Sequence, residues 1–211
     1  MNPNQWLRQG VLPVVVLNSV DQGLRIAQGL CQGGITQIEI TLRTPQALAA
    51  MRAIHSQFPD MALSAGTVLT PDQFDQAAEH GASLFISPGY TERLAKHATA
   101  NGLAWVPGAA TASEMMGCLE AGFELLKFFP AMAAGGPNAL AGLTAPLSQV
   151  RIVPTGGVTL NNLAQWKAIT AVQAVGGTWL TAGLDQVDDV VETVAQRTSQ
   201  ALAAWNGTVL V

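Results

Sequence analysis

The sequence predicts an α/β protein, a (β/α)8 barrel of the TIM type that fills one domain over residues 1–211. Three observations predict it. Near-continuous apolar runs of strand length, the kind covered on both faces, alternate with segments of helical period. Eight such pairs recur every ~20–25 residues, near the lower length limit of the barrel class. No GxGxxG follows the first run, which leaves an open doubly wound sheet as the weaker alternative.

The elements follow in order. Residues 11–17 form a β-branched strand, and Asp21 caps a helix with Leu24, Ala27 and Cys31 at helical spacing, closed by Gly33-Gly34. Strand 37–42 precedes a helix over 45–57 with Pro45 in its first turn, and strand 62–68 precedes a helix over 71–80 opened by Thr70. Strand 84–88 leads to a helix over 92–100, and strand 104–107 to one over 112–121 ended by Gly122. The sixth strand lies within 124–131, before a helix near 138–143. Strands 150–154 and 172–175, with a helix over 160–169 and an amphipathic tail over 187–205, complete the series.

Glu124-Leu-Leu-Lys-Phe-Phe-Pro-Ala131 sets one lysine in the middle of an apolar strand. The other two, Lys96 and Lys167, sit among polar residues of helical segments, where an ammonium reaches water. Removing an ammonium from water disfavours its charged form. A lysine placed like Lys127 is therefore expected to offer a neutral amine, and such an amine attacks carbonyls. The alternative is a stem that packs while its head snorkels to solvent.

Strand alternation puts Glu39, Thr41 and Arg43 on one face, and Ile38, Ile40 and Leu42 on the other. The aliphatic set is expected to pack on helices. That leaves Glu39 and Arg43 pointing into the mouth formed by the C-terminal strand ends, where barrels of this class keep their active sites. Lys127 shares its face with Leu125 and Phe129, so Glu39 and Lys127 are expected to meet across the interior. A merely rigidifying ion pair is the competing reading, disfavoured because burying such a pair rarely gains stability over apolar packing.

Thr67 after Ala65-Gly66, Ser87-Pro88-Gly89 and Pro107-Gly108 end three further strands and read either as pocket walls or as turns. The last two strands end in Thr155-Gly156-Gly157 and Gly176-Gly177-Thr178. Glycine pairs there expose backbone N–H groups where barrels often cradle phosphate, although tight turns would use the same residues. Trp105 and Trp179 read as packing residues, with a wall of the phosphate end as the alternative for Trp179, which adjoins the second glycine pair.

His55, His80 and His97 fall on helices with no second ligand at metal spacing, so no metal and no cofactor is expected. Cys31 and Cys118, without a CxxC, read as buried thiols of a reducing compartment. A net charge of −4, only 11% charged residues and no Lys/Arg cluster argue against nucleic-acid and anionic-membrane partners and for a small soluble ligand. Trp6 and Arg8 precede a run too short, and too interrupted by Pro13, for a signal segment or a membrane span, so a cytoplasmic protein is expected. With 49% hydrophobic residues, apolar surface is left to cover, which hints at a homo-oligomer.

Glu39-Ile-Thr-Leu-Arg43-Thr44, Gly66-Thr-Val-Leu69, Ile86-Ser-Pro-Gly89, Lys127-Phe-Phe-Pro-Ala131, Pro154-Thr-Gly-Gly157 and Gly176-Gly-Thr-Trp179 together resemble the 2-keto-3-deoxy-6-phosphogluconate (KDPG) and 4-hydroxy-2-oxoglutarate (KHG) aldolases. The resemblance runs through nearly the whole chain. It implies a class I lyase of the Entner–Doudoroff type, acting on a 2-keto acid phosphate, in which Lys127 forms a Schiff base and Glu39 moves protons. It further implies that Arg43 and Thr67 hold the substrate carboxylate and that Pro88 and Phe129 line the pocket. The phosphate would rest on Gly156, Gly157, Gly176, Gly177 and Thr178, and the assembly would be a homotrimer. Two departures remove positive charge near the mouth: Leu17-Asn18-Ser19 stands where a basic residue is frequent, and Asn138 where a lysine is common. The galactonate epimer of the substrate is the nearest alternative, and a phosphosugar isomerase or synthase on the same barrel a further one.

Overall fold

Every predicted strand forms, and all of the strands pair in parallel. The computed structural model describes Leu7 and residues 9–208, so Trp6 and Arg8 lie outside the described residues. Strands β1 (Val11–Val15), β2 (Gln37–Thr41), β3 (Ala62–Gly66), β4 (Leu84–Ile86) and β5 (Trp105–Val106) pair in chain order. The last strand, β9 (Val175–Gly177), joins β1 from the other side, giving a curled six-stranded sheet of order β5-β4-β3-β2-β1-β9. A second parallel sheet holds β6 (Gly108–Ala109), β7 (Leu125–Phe128) and β8 (Arg151–Pro154) in that order.

The predicted fifth strand is thus two short strands, broken at Pro107. Proline has no N–H to give a neighbouring strand, which ends the ladder to β4. Its carbonyl still accepts from the Lys127 N–H at 2.8 Å. Isolated parallel bridges, Ile152 with Val172 and Thr155 with Gly176, link β8 to the approach to β9 and to β9 itself. The last strand also begins later than predicted and takes in both glycines. Side chains at 176 and 177 would overlap Thr155 and the Trp179 ring, so these neighbours fill the space that glycine leaves.

Helices follow the strands: α1 (Val20–Gln32), α2 (Ala47–Gln57), α3 (Pro71–Glu79), α4 (Glu92–Ala100), α5 (Ala112–Glu120), α6 (Gly136–Thr144), α7 (Leu163–Lys167) and α8 (Val190–Asn206). Hydroxyl and carboxylate caps open most of them. The α1 cap is Ser19, which accepts from the Gln22 N–H, while Asp21 sits inside the first turn and pairs with Arg25 at 3.0 Å. α2 begins two residues after Pro45, because the Thr44 hydroxyl donates to the Leu17 carbonyl and holds residues 44–46 as a turn. α7 is shorter than predicted, preceded by the 3-10 turn Leu160–Asn162.

Alternation along the strands separates two apolar layers. Ile38, Ile40, Leu63, Ala65, Leu126 and Phe128 pack outward with the helices. Leu7, Leu12, Leu84, Ile86, Ala104, Val106, Leu125, Val153 and Ala174 form a separate inner cluster. Gln37, Glu39, Thr41, Ser64, Lys127 and Thr155 alternate with the outward set and are buried on the inner face. A polar layer therefore lies on an apolar floor.

Candidate active site

Lys127 is supplied by β7 and Glu39 by β2, so each sheet contributes one partner. The Lys127 Nζ donates to Glu39 Oε1 at 2.9 Å. Glu39 is 1% exposed and Lys127 6%, so both residues are buried. The snorkelling alternative is excluded. Phe129 lies beside the amine, its ring centroid 5.5 Å from Nζ.

Gly66 on β3 gives the carboxylate its place. A Cβ there would overlap Oε1, Cδ and Cγ of Glu39, so the glycine makes room for this side chain. Thr67, the next residue, has φ 60°, the one described non-glycine residue in the left-handed region. For a β-branched side chain that conformation is strained, and such strain clusters at working sites.

A cavity of about 140 Å³ opens above the pair. Lys127, Arg43, Thr67, Pro88 and Phe129 line one part of it, and Gly156, Gly157, Gly177 and Thr178 the other. Gly156 and Gly157 adopt φ 100° and 78°, and having no side chains they present backbone to the cavity. Gly176 stands behind the wall, with the Thr155 side chain over it. Gly89 and Gly108 do not line it either; a Cβ at Gly108 would overlap the Pro88 carbonyl, so that glycine serves close strand packing.

Sequence reasoning missed Val14, Val16, Thr41, Thr155 and Val158 as lining residues. The parity that selected Glu39 also marks Thr41, and the motif that selected Gly156 contains Thr155. A larger hollow of about 610 Å³ lies elsewhere, bounded by Ala141, Thr144, Arg151 and Ile169. It holds neither Lys127 nor Glu39. Its arginine is turned to the Ser148 and Val150 carbonyls.

The histidines lie away from this site. His80 ends α3 as its C-cap, and His97 Nε2 meets Asp75 at 3.0 Å while its ring packs on Phe74. Among the described residues no group of three His, Cys, Asp or Glu side chains could hold a metal ion.

The family model for KDPG and KHG aldolase matches residues 4–195. The chain belongs to the KDPG and KHG aldolase family. The KHG/KDPG aldolase of Escherichia coli K12 is 42% identical over 170 residues, covering 81% of this chain and 80% of that protein. Two solved members of the family share the fold. The KDPG aldolase of Legionella pneumophila, captured with pyruvate as a covalent carbinolamine, has a TM-score of 0.91 at 34% identity, covering 95% of this chain and 98% of its own. The enzyme of Zymomonas mobilis ZM4, solved with 3-phosphoglycerate, has a TM-score of 0.90 at 36% identity, covering 95% of each chain.

Proposed function

We propose that this chain is a class I aldolase that cleaves 2-keto-3-deoxy-6-phosphogluconate to pyruvate and glyceraldehyde 3-phosphate, and that it also acts on 4-hydroxy-2-oxoglutarate. The observation that carries the reading is the Lys127 amine, buried beneath a small cavity and 2.9 Å from Glu39.

Lys127 passes one proton to Glu39, and the freed amine nitrogen adds to the C2 carbonyl, whose oxygen takes a second nitrogen proton as the carbinolamine forms. Glu39 delivers a proton to the departing hydroxyl, water leaves, and a protonated imine remains. Glu39, now a carboxylate, takes the proton of the C4 hydroxyl. The C3–C4 electron pair moves into the imine, giving an enamine on Lys127 and a free aldehyde. Glu39 returns that proton to C3, and addition of water to the resulting imine releases pyruvate and restores the amine.

The other lining residues suit a substrate with two anionic ends. The Arg43 fork binds a planar carboxylate through two oxygens, with Thr67 beside it. Pro88 and Phe129 wall the three-carbon end. Gly156, Gly157, Gly177 and the Thr178 hydroxyl take the phosphate through backbone and side-chain donors, and Gly176 keeps Thr155 in place behind them.

We further infer a closed eight-unit barrel in one domain over residues 1–211, supported by the β8–β9 bridges and by the Lys127 N–H bond across to Pro107. The exposed Leu69, Met116 and Met132 support self-association, read as a homotrimer by family resemblance. Among the described residues no helix is long and apolar enough to cross a membrane, in keeping with a cytoplasmic enzyme. Borohydride reduction in the presence of pyruvate tests the central step. A mass adduct on Lys127, absent in Lys127→Met, is expected; active protein that gives no adduct ends the aldolase reading.

A further inference from the structure

Two polar atoms of the inner face lack a hydrogen-bond partner among the described residues: Glu39 Oε2 and Ser64 Oγ. The residues that carry them are neighbours across two strands. Glu39 on β2 and Ser64 on β3 are register partners on strands that lie ~4.8 Å apart. Each residue is 1% exposed, so bulk water satisfies neither atom.

The remaining polar side chains of this layer are engaged elsewhere. Gln37 donates to the Val11 carbonyl, Thr41 to that of Val15, and Thr155 to that of Val153. Lys127 takes the other carboxylate oxygen. What is left is one donor and one acceptor. A carboxylate accepts only, a hydroxyl can donate, and burying both unpaired costs each its full desolvation penalty.

We propose that Ser64 is a positioning residue for Glu39, its hydroxyl turning about the Cα–Cβ bond to donate to Oε2. The inference rests on the aldolase reading above. Once Lys127 becomes an imine, its hold on Oε1 loosens, and Oε1 must swing to the C4 hydroxyl. The Ser64 bond then keeps the other oxygen fixed, so that the carboxylate pivots rather than drifts.

Without the hydroxyl, Oε2 is left unheld while Oε1 moves. In Ser64→Ala kcat falls about 3–10-fold, an effect of the size one hydrogen bond carries. KM changes less than about two-fold, because Ser64 does not line the cavity.

The experiment measures kcat and KM for wild type, Ser64→Ala, Ser64→Gly and the conservative Ser64→Thr, with borohydride trapping of each. Either the alanine or the glycine variant suffices if the other fails to fold. A lowered kcat at nearly unchanged KM, with trapping intact and kcat restored toward wild type in Ser64→Thr, supports the proposal. A kcat equal to that of wild type in Ser64→Ala or Ser64→Gly, with trapping intact, overturns it and leaves the aldolase reading standing. Wild type that does not trap overturns both.

Discussion

Glu39 reaches the amine because Gly66 has no side chain in the way. Gly66 does not occupy the left-handed region, so alanine there meets no backbone objection, only the carboxylate. Gly66→Ala is expected to lower kcat by about 10–100-fold, since misplacement near 1 Å carries that cost. Its stability should fall by no more than ~1–3 kcal/mol, measured by denaturant titration. Glu39→Gln removes the proton carrier of the proposed reaction, and a loss of about 10²–10⁴ in kcat is expected. Thr67 supplies an opposite case. Its strained backbone costs ~1–3 kcal/mol, and glycine would relieve that while losing ~0.5–1 kcal/mol of unfolded-chain entropy. Thr67→Gly should leave Tm unchanged or raised while KM rises, a split that calorimetry and kinetics together would show. At this scale the meeting of Glu39 and Lys127 was legible from parity, because alternation dictates which side chains face inward. The service of Gly66 to its own chain was not, because the space a missing side chain leaves exists only after two strands pair.

Among the elements, α5 shows how a helix start carries pH dependence. The Thr111 hydroxyl accepts from the Glu114 N–H, and the Glu114 carboxylate accepts from the N–H groups of Ala110 and Thr111. Those donors, the Ala110 N–H foremost, hold the Glu114 carboxyl below its ordinary 4.5. A carboxyl lowered in the folded state stabilises above its unfolded value and loses that contribution as pH falls through the folded one. The difference in Tm between wild type and Glu114→Gln is therefore expected near neutrality and should shrink below about pH 4.5. Thr111→Ala should cost ~1 kcal/mol at any of these pH values. The Thr70 cap was readable from its Thr-Pro-x-Gln pattern, since local chemistry settles it. The α1 start was not: both Ser19 and Asp21 can cap, and only the path of the chain leaving β1 selects the serine. The boundaries of β9 likewise depend on Thr155 and Trp179, side chains brought in from outside the strand.

Taken whole, the molecule buries one thiol and leaves the other half-exposed. Burial, and then the Glu114 charge, push Cys118 up from 9.0 to about 12. Cys31, predicted buried, is only partly so, because α1 turns it toward the Asp60 side; burial first and then the Asp60 charge raise it. A thiol reagent at pH 8 should label Cys31 first and Cys118 only as the fold opens, giving a direct readout of global unfolding. Because the unfolded thiol ionises at 9.0 and the folded one near 12, stability should also decline as pH rises across that interval. The division of the strands at Pro107 has a kinetic corollary. The amine and its carboxylate are 88 residues apart and belong to different sheets, so neither half holds the pair by itself. Regain of turnover after dilution from denaturant then times the docking of the two halves, a late event that backbone spectroscopy, sensitive to either sheet alone, would register too early.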